Sequence, residues 1–182
     1  MATERKPIMK VEVVDYNPDW PFLYIQEAKK IEEILGKELI AIYHIGSTAV
    51  EGLKAKPIID IMPVVKNIEN VDSFNKEFVN LGYEAKGEFG IKGRRYFRKR
   101  IENRTHQIHI FEESNQKDIK RHLAVRDYLR IHKQDALKYG ELKMKLAQKH
   151  SHSINDYSLG KDSFVRKLEN TALDWYKNQK DD

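Results

Sequence analysis

The sequence predicts an α/β (α+β) protein, a mixed β-sheet covered by helices and followed by a C-terminal helical segment. Three observations carry this. Two apolar runs, Ile40–Ile45 and Pro57–Val65, are rich in β-branched residues and too short for helices. The segments on either side of them repeat apolar residues at nearly helical spacing. Beyond Glu112 the pattern turns helical and stays so.

Taken in order, Val11–Val14 reads as a short strand or extended lead-in. Pro18 and Pro21 then mark a helix start, where a missing N–H costs nothing. Phe22, Ile25, Ala28, Ile31 and Ile34 make its stripe, and Gly36 ends it. Ile40–Ile45 runs into a Gly46-Ser47 turn, and Pro57–Val65 is the next strand. Val71, Phe74, Phe78 and Leu81 form the stripe of a second helix, closed by Gly82. Arg94–Ile101 and Thr105–Glu112 read as two strands joined at Glu102-Asn103-Arg104. All four strands are expected in one sheet, with the helices Phe22–Leu35 and Val71–Leu81 on its isoleucine face. Three further helices cover about 117–132, 133–150 and 161–178, the last with Val165, Leu168, Ala172 and Trp175 on one face. A boundary near Ser114 divides a core of residues 1–114 from a helical segment of residues 115–182 packed on it, within two domains or one.

A chain of 182 residues is long enough for a real core, and 40% hydrophobic with 34% charged residues describes a globular, soluble protein. A net charge of +5 and a pI near 9.2 favour an anionic partner: a nucleotide, a phosphorylated small molecule or, with weaker support, nucleic acid. With no cysteine, disulfides, thiol catalysis and Cys-ligated zinc are excluded. Met1–Lys10 lacks the apolar centre of a signal peptide, and the longest apolar run is short for a bilayer and contains Asp60. A cytoplasmic protein with no membrane partner is expected.

The candidate site begins at His44-Ile45-Gly46-Ser47-Thr48. Glycine lets the backbone approach a phosphate, to which turn N–H groups and a serine hydroxyl can donate. An aspartate among isoleucines, as at Asp60, is expensive to bury and calls for a cation or a donor. Strand alternation turns Ile59 and Ile61 one way and Asp60 the other, and likewise separates Ile108 and Ile110 from Gln107 and His109. Asp60 and His109 are therefore expected on one face, as metal ligands and as the pair that would carry catalysis. His106 and His44 are further candidate ligands, and a mixed Asp/His set suits Mn or Zn as well as Mg. Gly46, Ser47, Thr48, Lys56, Arg95 and Arg98 are the candidate phosphate contacts. The basic run Arg94–Arg100 reads equally as a charged edge strand. His109 reads equally as a half-buried, hydrogen-bonded histidine, and Gly46-Ser47 as a plain turn. There is no Walker loop, Rossmann fingerprint or nucleophile elbow.

The run from His44 to Ile61 resembles the signature of the GrpB family, small bacterial proteins placed by fold in the nucleotidyltransferase superfamily. The resemblance extends through Arg94-Arg95-Tyr96-Phe97-Arg98-Lys99, Thr105-His106-Gln107-Ile108-His109 and Val125-Arg126-Asp127-Tyr128-Leu129-Arg130, most of the chain. It implies a nucleotidyltransferase-like fold, a divalent metal and a nucleoside triphosphate substrate. The superfamily pattern is Gly-Ser, a gap of about a dozen residues, then Asp-x-Asp. Here Asp60 matches the first carboxylate, Met62 replaces the second, and His109 stands near the position of the third. Two functions follow as expectations: metal-dependent nucleotidyl or phosphoryl transfer, or a catalytically degenerate nucleotide- or anion-binding module with a regulatory role.

Overall fold

The structure is a computed structural model that describes residues 10–99 and 103–179. Five strands form one mixed sheet: β1 (Leu39–Ile45), β2 (Ile59–Val65), β3 (Tyr83–Ala85), β4 (Arg94–Lys99) and β5 (His106–Glu112), in the order β1-β2-β5-β4-β3. β2 and β5 run parallel and the remaining pairs antiparallel. The four expected strands are all present, and the short edge strand β3 is the addition. Arg100, Ile101 and Glu102, within the expected strand Arg94–Ile101 and its turn, lie outside the described residues.

Helix α1 (Trp20–Leu35) and a 3₁₀ segment, Glu69–Phe74, continuing into the short α2 (Asn75–Asn80) cover the isoleucine face. Ile31, Leu35, Val71 and Phe78 pack there against Ile59, Ile61, Phe97, Ile108 and Ile110. The stripe of α1 is phased differently from expectation. It opens on Trp20, and Phe22 and Ile25 are 60% and 48% exposed. The buried face instead runs Trp20, Glu27, Ala28, Ile31, Leu35, a better helical repeat that starts before the proline. Glu27 is affordable inside because Tyr83 Oη (2.9 Å) and Lys99 Nζ (2.6 Å) both donate to it.

The C-terminal helices α3 (Gln116–Ile131), α4 (Lys133–Lys149) and α5 (Ile154–Asn178) make a bundle around Ala124, Tyr128, Leu129, Ala136, Leu168 and Ala172. Val50 and Leu53, from the link between β1 and β2, enter the same cluster. α3 also lies on the second face of the sheet, where Ile119 packs with Ile45, Met62, Val64 and Phe111. That coverage stops short of Asp60, which leaves the end of the face at Asp60 and Gln107 open to a cavity. α5 begins seven residues earlier than expected. Ser153 Oγ caps it by accepting from the N–H of Asp156, and Gly160 sits mid-helix where Leu146 of α4 presses against it.

Candidate functional site

The turn after β1 is built by three constraints. Gly46 has φ 72° and ψ −171°, a region that side chains with a Cβ avoid. A Cβ there would lie 2.6 Å from Asp60 Oδ2. Glycine is thus required to let the turn pass over the Asp60 carboxylate. Ser47–Ala49 then forms a single 3₁₀ turn. From α3, Arg126 Nη1 donates to the carbonyl of His44 (3.2 Å) and Arg130 Nε to that of Ala49 (2.9 Å), gripping the turn at both ends.

Asp60 is held from two sides. His109 Nε2 lies 3.0 Å from Oδ1, and the Gln107 amide, oriented by its hydrogen-bonding network, donates to the same oxygen at 3.0 Å. Behind His109, Arg94 Nη1 lies 3.4 Å from Nδ1 while Nε and Nη2 donate to the carbonyls of Glu88 and Phe89. Nδ1 therefore accepts and Nε2–H donates, which keeps the carboxylate oriented.

Beside this carboxylate lies a cavity of about 160 Å³ lined by Ser47, Thr48, Lys56, Asp60, Gln107, Lys143, Tyr157 and Lys161, with Ala55 and Ile58. Three lysines converge on it, and Asp60 is the one carboxylate in its wall. Lys143 is 2% exposed, lies over the Tyr139 ring, and donates to Ser47 Oγ at 2.9 Å. Lys56 and Lys161 stand near the Tyr157 ring, at 5.3 and 5.1 Å from its centroid. None of the three lysines has an ion-pair partner among the described residues. Burial, then mutual repulsion, lowers their pKa values: Lys56 to about 8, and Lys143 well below the usual lysine range. Burial lowers Lys161 as well, with Asp60 opposing it. The hydroxyl of Tyr157 is buried without a hydrogen-bond partner among the described residues. Three lysines without an ion-pair partner, one buried and two half-buried, make this wall of the cavity cationic.

Of the residues expected here, Ser47, Thr48, Lys56 and Asp60 line the cavity, with Gly46 and His109 directly behind Asp60. Four others are elsewhere. Arg95 faces the helix side and pairs bidentately with Asp72 (2.7 and 3.0 Å), because its strand parity matches Ile110. Arg98 shares the face of Gln107 but bonds Glu84 across the β3–β4 pair at 2.7 Å. Arg95 and Arg98 are thus each paired to an acid. His106 shares the parity of Ile108, with Nδ1 against its neighbour Thr105. His44 braces the turn: its Nε2 lies 2.9 Å from Thr48 Oγ1 and its ring stacks on Tyr24, and burial lowers its pKa to about 4. Neither histidine reaches Asp60, and no group of three or more His, Asp and Glu residues gathers among the described residues. A bonded Asp–His pair facing three lysines does not make a protein-held cage for a divalent ion.

Lys143, Lys161 and Tyr157 were missed from the sequence. Their signal was present. Lys143 interrupts the buried stripe Ala136, Tyr139, Gly140, Ala147 of α4, and Lys161 stands in the row Tyr157, Leu168, Ala172 of α5. A lysine on the apolar side of an amphipathic helix has to be accounted for.

Residues 10–171 match the family described as GrpB protein. YqkA of Bacillus subtilis is 44% identical over 95% of this chain, which spans half the length of that relative. The glutamate-rich protein GrpB of Alkalihalophilus pseudofirmus is 32% identical over 88% of this chain and 95% of its own length. The crystal structure of conserved protein GrpB from Enterococcus faecalis superposes with a TM-score of 0.89 at 46% identity, covering 91% of this chain and 99% of that one. A cytoplasmic RNA terminal U-transferase matches at 13% identity with a TM-score of 0.50, over 81% of this chain and 47% of the enzyme, a likeness of fold alone. The fold is nucleotidyltransferase-like. No helix among the described residues is long and apolar enough to cross a membrane. The chain belongs to the GrpB family.

Proposed function

We propose that this GrpB-family chain binds the polyphosphate group of a small anionic ligand, such as a nucleotide, in the cavity between the Gly46-Ser47 turn and helices α4 and α5. The observation that carries the reading is the meeting of Lys56, Lys143 and Lys161 around a cavity with a single carboxylate. Three ammonium groups supply the charge that a polyphosphate needs. Binding is expected without a divalent ion, since the lysines do the neutralising. A Mg, Mn or Zn ion would arrive on the phosphates, with Asp60 as the carboxylate available to it.

The lysines make binding pH-dependent, and the sign follows from their lowered pKa values. Below about pH 8 Lys56 is protonated and attracts the anion; above it the charge is lost and affinity falls. In the unliganded protein the effect on stability runs the other way. The unfolded chain binds more protons between Lys56's folded value of about 8 and the ordinary 10.5, so stability rises across that window. Titration calorimetry with inorganic tripolyphosphate at pH 6.5 and pH 9.5 is the test. Tight binding at the lower pH, weaker at the higher, with proton uptake, is the expected result. No heat at either pH would remove the reading.

A second reading, transfer of a nucleotidyl or phosphoryl group, is favoured by the Asp60–His109 pair beside the cavity. Against it, Met62 is fully buried against Ile45, Val64, Phe111 and Ile119, where the superfamily pattern has its second aspartate. Turnover of a nucleoside triphosphate with Mg or Mn, abolished in Asp60→Ala, would establish this reading over simple binding.

A further inference from the structure

Lys56 reaches the lysine-lined cavity from a backbone that is pinned on both sides. Ala55, just before it, bridges Val14: the Ala55 N–H donates to the Val14 carbonyl at 3.0 Å, and the Val14 N–H to the Ala55 carbonyl at 2.9 Å. Pro57 follows, and the N–H of Ile58 closes a tight turn on the Lys56 carbonyl at 2.7 Å. The side chain is half-buried among Ala55, Ile58 and the Tyr157 ring, which Lys161 also approaches.

The three lysines of this cavity meet different surroundings. Lys143 is engaged by Ser47 Oγ and lies over the Tyr139 ring. Lys161, on α5, has Asp60 favouring its charged form. Lys56 is pushed down by burial first, then by the Lys161 ammonium and more weakly by Arg104, with Asp60 opposing them. At a pKa of about 8, about a tenth of it is neutral at pH 7, against about one in three thousand for a lysine at 10.5. A neutral amine is a nucleophile and an ammonium group is not. Apolar walls and an adjacent cation are the two devices that activate a lysine toward carbonyl carbon.

We propose that Lys56 is a nucleophile that forms a Schiff base with a small phosphorylated aldehyde, whose phosphate is held by Lys143 and Lys161. The site is the cavity of the polyphosphate reading, but the chemistry does not depend on that ligand. A space of about 160 Å³, below the ~300–1,000 Å³ usual for drug-sized ligands, suits a short-chain compound. The amine lone pair bonds to the carbonyl carbon while the C=O π pair moves to oxygen. A proton passes from nitrogen to that oxygen, which gives a carbinolamine. The hydroxyl takes one further proton and leaves as water as the nitrogen lone pair closes the C=N bond. The resulting iminium carries one positive charge, and Asp60 is the carboxylate in the same wall.

The test treats the protein with glyceraldehyde 3-phosphate and sodium cyanoborohydride, and locates the reduced secondary amine by peptide mass spectrometry. Lys56 is expected to be labelled at least about tenfold faster than any exposed lysine at pH 7. That advantage should fade as the pH rises past about 8, where exposed lysines begin to catch up in neutral amine. Unphosphorylated glyceraldehyde should label Lys56 at least about tenfold more slowly, because the cationic wall no longer holds it. Lys56→Arg, which keeps the positive charge, should lose the fast label while its melting temperature reports an intact fold. Label spread over exposed lysines with no preference for Lys56 would overturn the proposal, and so would equal labelling by the two aldehydes. Fast labelling of Lys56 in a protein that gives no heat with tripolyphosphate would support this chemistry and remove the polyphosphate reading. Tripolyphosphate binding without a label on Lys56 would do the reverse.

Discussion

Gly46→Ala is expected to lower the urea midpoint of unfolding more than any other single exchange in the turn, and Gly46→Val to lower it further. Two costs combine. The backbone at φ 72°, ψ −171° is a glycine-only conformation whose strain in another residue amounts to about 1–3 kcal/mol. The new Cβ would also stand 2.6 Å from Asp60 Oδ2 and 3.2 Å from Asp60 Cβ, so rotating the carboxylate end alone does not relieve the contact. Moving Asp60 breaks its bonds to His109 and Gln107, each contributing about 1 kcal/mol or more. Against a typical domain stability of about 5–15 kcal/mol, a combined loss of several kcal/mol threatens folding itself. An unchanged midpoint in Gly46→Ala would mean that the turn does not press on Asp60.

Lys143→Met is expected to produce two effects of opposite sign. The unliganded protein should melt at a higher temperature, because a buried ammonium group with no carboxylate partner is replaced by an apolar chain of similar length. Exchanges of this kind contribute ~1–4 kcal/mol where charged groups were buried at a net cost. Tripolyphosphate affinity should fall at least tenfold, since Lys143 is one of the three lysines that line the cavity. Differential scanning calorimetry and a binding titration on the same sample check both. A residue kept for stability would lose melting temperature on substitution, and one kept for a ligand gains it. A lower melting temperature together with unchanged affinity would make Lys143 a structural residue.

Why some of this was legible in the sequence and some was not follows from the range over which each signal acts. Strand parity is local, so the shared face of Asp60 and His109 could be read from alternation alone, and the two are in hydrogen-bond contact. The isoleucine face and its helices followed from the same period. His44 and His106 were harder, because their place in the sequence put them near the turn and the strand entrance while parity turned both side chains away. Arg95 and Arg98 show the limit of reading a charge run as a ligand grip. Their partners, Asp72 and Glu84, come from an unpatterned 3₁₀ segment and a three-residue strand. Lys143 of α4 is 96 residues from the Ser47 it bonds and Lys161 of α5 lies further along still, so only tertiary packing brings them to the turn. What the sequence did contain was their position on apolar stripes, with the capping pair Ser153–Asp156 marking the true start of α5. Met62 was conspicuous as a missing carboxylate. The fold explains it as core beneath α3.

An anion among the three lysines is tested most directly by a crystal grown with inorganic tripolyphosphate and no divalent ion. Phosphate density is expected within hydrogen-bond distance of the Nζ atoms of Lys56, Lys143 and Lys161. Density elsewhere on the surface, with that cavity holding only water, would contradict it.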